Sequence, residues 1–137
     1  RLTVTMARIL SQQLGCPLDG VSSFALMAPR LIASQSSFEN KQLFWIVKPL
    51  RNRGILAGRY QFIKESIDDS SCRIIEIDAP HLLPVETDIQ PALLAKEDIE
   101  KDVRYLLELS MIAHHLGKSG SWNSVLPIYP SSPVGNS

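Results

Sequence analysis

The chain is short of the features that build disulfide frameworks and membrane spans. Its 137 residues include two cysteines, Cys16 and Cys72, which lie far apart and form no Cys-x-x-Cys pair. The sequence therefore predicts reduced thiols in buried or half-buried positions rather than a disulfide or a zinc site. No apolar run approaches the roughly eighteen residues of a membrane span, and no basic-then-apolar signal segment opens the chain. These absences favour a cytoplasmic protein without a membrane partner.

An excess of charge of one sign is also missing. Lys plus Arg and Asp plus Glu number 14 each, so the formal net charge is zero. No overall field draws the chain towards nucleic acid, and any such contact must be local. The one basic cluster is a predicted hairpin turn with Lys48, Arg51 and Arg53, continued by Arg59 and Lys64 along the next strand. Such a turn is usually solvated, and phosphate contact with RNA is the alternative, because three cations on one loop can follow a backbone without reading bases.

Recognised catalytic signatures are absent as well. The sequence has no Gly-x-Ser-x-Gly nucleophile turn, no Walker A loop and no Gly-x-Gly-x-x-Gly fingerprint. His114 and His115 are adjacent, so on a helix they point about 100° apart and cannot act as an i, i+4 metal pair. A position beside the helix dipole is the simpler interpretation of both, and His81 follows a proline in a predicted loop. The pattern predicts no catalytic residue, no metal and no cofactor.

Apolar periodicity and chain breakers divide the sequence into helices and strands. The first helix should end at Leu14, since Gly15 can take a positive φ and Pro17 cannot continue a helix. A second helix should start at Ser22 or Ser23, with Pro29 kinking or interrupting it. The other predicted elements are a brief strand at 17–21, strands LFWIV, ILAGRYQFI and CRIIEID around a turn with positive φ at Gly54, an irregular Pro-rich stretch at 80–91, a helix at 97–116 and a closing strand VLPIYP.

The helix at 97–116 shows the clearest periodicity in the chain. Its apolar residues are predicted to share one side: Ile99, Val103, Leu106, Leu109, Ala113 and Leu116. Glu100 and Arg104 are spaced as a favourable i, i+4 ion pair on the other side. Gly117 is predicted to end the helix.

The first helix carries more apolar surface than one core requires. Its apolar residues span an arc of roughly 160° on a helical wheel: Leu2, Met6, Ala7, Ile9, Leu10 and Leu14. One edge of this arc can pack on its own lobe while the other meets a partner, because monomers seldom expose large apolar patches. We therefore predict a partner interface at Leu2, Met6, Ile9 and Gln13. The competing interpretation is that a segment upstream of Arg1 covers the excess.

Two stretches resemble the TsaB (YeaZ-type) family. In RLTVTMARILSQQLGCPLDGVSSFALMA, residues 1–28, an arginine-led helix ends in a Leu-Gly-x-Pro turn, and a Gly-Val-Ser-Ser junction leads into the next helix. The segment WNSVLPIYPSSPVGNS is similar to that family's closing strand. Where the family has an Asp-Ala-Arg motif between two hairpin strands, this chain has Lys-Pro-Leu-Arg-Asn-Arg-Gly. No role of that aspartate can therefore be carried over.

The resemblance implies an α/β fold of the actin-like, ribonuclease-H-like class with two related lobes. Arg1 would stand just after the family's Gly-Ser-Phe-Thr-Gly turn, so the first strands and first helix of lobe one are expected to be missing. Residues 1–34 would be the remainder of the N-terminal lobe, 35–123 the C-terminal lobe, and 124–137 the closing strand and tail.

The resemblance also implies a function without catalysis. Family members pair with a metal-bearing relative, TsaD, and the ATPase TsaE joins them in the machinery that adds a threonylcarbamoyl group to a tRNA adenosine. They also form homodimers in isolation. The expected role is a dimerisation scaffold that meets tRNA through the complex. A peptidase-like or acyl hydrolase, and a tRNA-binding module that uses the basic turn, are the alternatives.

Overall fold

The structure, a computed structural model, describes residues 2–35, 38–64, 72–118, 120 and 125–126. Within these ranges the elements are α1 (Leu2–Leu14), α2 (Ser23–Ala33), β1 (Leu43–Leu50), β2 (Gly54–Lys64), β3 (Cys72–Leu83), β4 (Ala92–Leu94) and α3 (Ile99–His115). The described chain is therefore a mixed α/β protein. It divides into a helical unit, which contains α1 and α3, and a sheet unit, which contains α2 and the four strands.

The four described strands form one mixed sheet in the order β3-β2-β1-β4. β1 and β2 make an antiparallel hairpin, and β2 pairs with β3 antiparallel, with a register irregularity around Arg59. β4 runs parallel to β1 and pairs with its centre, from Trp45 to Val47. β1 and β2 therefore hold the middle of the sheet, where most of its buried side chains lie.

α2 covers one face of this sheet. Ser22 caps the helix, because its side chain accepts a hydrogen bond from the Ala25 amide at 3.1 Å. Alternate strand residues point towards the helix, as the two-residue period of a strand requires. The resulting core joins five helix residues to four strand residues: Phe24, Met27, Ala28, Leu31 and Ile32 with Phe44, Ile46, Tyr60 and Phe62. A smaller cluster on the sheet contains Val47, Ala57 and Ile89.

The backbone breakers act largely as the sequence predicts. α1 ends at Leu14, and Gly15 and Gly117 both have φ of 64°, as expected for residues that end helices. Gly54 has φ of 107° at the start of β2. These predictions are confirmed. Pro29 does not interrupt α2, which continues to Ala33.

Three predicted segments differ from the structure. Residues 17–21 form no strand, and the Leu18 amide donates instead to the Gly120 carbonyl at 3.1 Å. β3 continues past residue 78 to Leu83 because its backbone keeps pairing with β2, so His81 lies in a strand rather than a loop. β4 directly follows the stretch at 80–91 that was expected to be irregular, and the sequence pattern does not predict this strand. The closing strand falls on 125–130, of which only 125 and 126 are described, without strand structure.

The cysteine positions also differ from the structure. The lobe boundary after residue 34 stays a prediction; in the structure, α2 packs on the strands and belongs to the sheet unit. Cys16 and Cys72 are free thiols, as predicted, but both are exposed rather than buried. Cys16 follows the end of α1, and Cys72 is the first residue of an edge strand, so neither position lies under a packed element.

Candidate interaction site

α1 turns its smaller or polar side chains inward and its larger apolar side chains outward. Ser11 is the buried residue of the helix, and Val4, Ala7 and Arg8 are half-buried. Four apolar residues spaced four apart form an outward row, which we call the α1 ridge: Leu2, Met6, Leu10 and Leu14, each 54–73% exposed. A helix that only covers its own core has the reverse arrangement.

The inward position of Ser11 follows from the way α1 ends. The Cys16 amide donates to the Ser11 carbonyl at 3.1 Å, and the Ser11 hydroxyl donates to the Cys16 carbonyl. Gly15 sits between them in the left-handed conformation, which completes a Schellman-type C-cap. The chain beyond is fixed as well, because the Gly120 amide donates to Asp19 Oδ1 at 2.6 Å. The orientation of α1 therefore has a local cause in the hydrogen bonds of the turn that follows it.

The four residues predicted as a partner interface are all exposed. Leu2 and Met6 lie on the α1 ridge, Ile9 is 53% exposed beside it, and Gln13 is exposed near its end. Leu10 and Leu14 were left out of the predicted interface. Their four-residue spacing from Met6 is the signal that could have found them.

The basic hairpin turn is less charged than its sequence suggests. Lys48 Nζ lies 2.7 Å from Glu97 Oε1. Arg51 and Arg53 are exposed in the turn, where Asn52 has φ of 60°. Because Lys48 already has an anionic neighbour, the field of the predicted cluster is weakened at its base.

A polar cluster that was not predicted from the sequence meets at the start of α2. Ser22 Oγ donates to Glu76 Oε2 at 2.8 Å, and the hydroxyl of the fully buried Tyr60 donates to the same oxygen at 3.0 Å. Tyr60 and Glu76 are direct partners in the β2–β3 register. Knowledge of that register would have been needed to find the cluster. It ties the cap of α2 to the sheet beneath it.

Burial raises the pKa of Tyr60 above its ordinary value of 10.0; the neighbouring Ser22 hydroxyl opposes this rise, and the nearby charge of Glu76 adds to it. The unfolded chain loses this proton near pH 10, while the folded chain keeps it. The free energy of unfolding should therefore fall as pH rises above 10, by up to about 1.4 kcal/mol per pH unit. Tyr60→Phe should remove this alkaline fall in the free energy of unfolding, and Tyr105→Phe should not. Urea unfolding at pH values from about 9 to about 11 measures the free energy of unfolding of both variants. An equal loss of stability at alkaline pH in the two variants would contradict the assignment of this effect to Tyr60.

A second unpredicted cluster joins β1, β2 and β3. The guanidinium carbon of Arg59 lies 5.6 Å from the ring centroid of Trp45, and the His81 ring contacts Trp45 edge-on at 6.2 Å. Arg59 Nε lies 2.7 Å from Asp78 Oδ2, as an ion pair whose N–H is not aligned for a hydrogen bond. The partners of His81 are thus the tryptophan ring and the Ala79 carbonyl, 2.9 Å from Nδ1.

The described residues do not bring together a metal site. No three His, Cys, Asp or Glu side chains among them are placed to hold one ion. His114 and His115 lie exposed in the last turn of α3, with ring centroids 6.2 Å apart. Each helix in the described ranges is too short or too polar to cross a bilayer.

Comparison with known proteins identifies no relative of this chain. No protein-family model, no curated protein and no solved structure matches it. The likeness to the TsaB family therefore rests on the sequence patterns of residues 1–28 and of the closing segment.

Proposed function

We propose that the chain is a non-catalytic pairing subunit whose α1 ridge binds a second polypeptide. The observation that carries this proposal is the orientation of α1, with Ser11 buried and the large apolar side chains outward. The α1 ridge and Ile9 together expose an apolar area on the order of 500 Å², near the upper end of roughly 300–600 Å² for the largest patch on a monomer. The largest apolar patch on a monomer is often functional, which supports coverage of this helix face by another chain.

The resemblance to the TsaB family supplies the proposed partner and process. The partner would be TsaD, with TsaE joining the pair, in the cytoplasmic synthesis of threonylcarbamoyladenosine on tRNA. The chain alone would form a homodimer, and tRNA would reach it through the complex. The proposed fold is the actin-like one, with the helical and sheet units as parts of its two lobes.

The two alternatives have less support from the side-chain contacts. Direct tRNA binding at Lys48, Arg51 and Arg53 is weakened by the ion pair between Lys48 and Glu97, since phosphate affinity grows with the number of uncompensated cations. A hydrolase would need an activated nucleophile. Ser22 donates its proton to Glu76 Oε2, but that carboxylate oxygen also accepts the Tyr60 hydroxyl, and the Ser22 oxygen accepts the Ala25 amide as the cap of α2. These contacts give Ser22 a structural role at the start of the helix.

The proposal predicts that Met6→Glu weakens binding to TsaD by about 100-fold, because the new carboxylate would be buried without a partner. Isothermal titration of the chain into TsaD, with nucleotide present, measures the affinity. Gln12→Glu is the matched control, since Gln12 is exposed on the side of α1 away from the α1 ridge and gains the same charge. A folded Met6→Glu chain that binds as tightly as the control, or a wild-type chain that forms no complex, would refute the proposal.

A further inference from the structure

We draw no further inference here: the strongest candidate, the exposed apolar row of α3 formed by Ile99, Val103, Leu107 and Met111, is an unpartnered helix face, and nothing in the described part of the chain shows what covers it.

Discussion

Gly54→Ala should lower the free energy of unfolding of the sheet unit by about 3–5 kcal/mol, an unusually large effect for one methyl group. Gly54 has φ of 107°, where a side chain is strained. A Cβ at this position would also collide with the backbone carbonyl oxygen of Leu83, in the strand paired with β2. A backbone atom within a sheet cannot rotate away, so β2 and β3 would have to separate locally.

Gly117→Ala is the control for the strain alone. Gly117 also has positive φ, but a Cβ there would meet no atom within 4 Å. Its cost should be about 1–2 kcal/mol, the price of the left-handed conformation. Urea unfolding followed by far-UV circular dichroism compares the two variants. If Gly54→Ala lowers the free energy of unfolding no more than Gly117→Ala does, the collision with the Leu83 carbonyl is relieved in the variant.

Phe44→Ala should lower the free energy of unfolding by about 3–5 kcal/mol, because it leaves a cavity between α2 and the sheet. The Phe44 side chain is fully buried. Its ring contacts Phe38 edge-on at 5.4 Å between centroids and lies 5.8 Å from the Tyr60 ring. Domains of this size have a total stability of only about 5–15 kcal/mol, so the loss is a large share of it and the variant should unfold at a lower temperature than the wild-type chain.

Leu43→Ala is the control for Phe44→Ala. It separates the effect of side-chain burial from the effect of position in β1. Leu43 is the neighbouring residue of β1, and its side chain is 44% exposed. We expect a loss of at most about 1 kcal/mol. The fluorescence of Trp45, in a Trp122→Phe background, reports unfolding of the sheet unit in both variants. Equal losses in the free energy of unfolding for Phe44→Ala and Leu43→Ala would contradict the assignment of Phe44 to the core.

Local signals in the sequence predicted the ends of helices and the hairpin turn well. Gly15, Gly54 and Gly117 each act through their own backbone conformation, and a single sequence contains that information. β4 could not be predicted this way, because its strand structure depends on a distant partner. The Trp45 amide donates to the Pro91 carbonyl at 2.9 Å, and the Ala95 amide donates to the Val47 carbonyl at 2.8 Å. Nothing within residues 91–95 specifies those partners.

The candidate surfaces were predictable only in part, for a similar reason. Helical periodicity identified Leu2, Met6 and Ile9 as apolar residues of one arc, but it could not tell which edge of the arc faces inward. The buried position of Ser11 answers that question, and it depends on a hydrogen bond made by the turn after the helix. On α3, the same wheel combined the inward Leu106 with the outward Val103. Periodicity gives the apolar residues of a helix, whereas packing decides which of them remain outside.

The two edges of the described sheet bear on how the chain behaves when concentrated. β4 has only three residues, too few to template another strand. β3 is long, but it carries Arg73, Glu76 and Asp78 along its length and Pro80 near its end, beside the register irregularity in its pairing with β2. Charges, a proline and a bulge all oppose the recruitment of a foreign strand. The described edges of this sheet are therefore expected to resist fibril growth when the chain is concentrated.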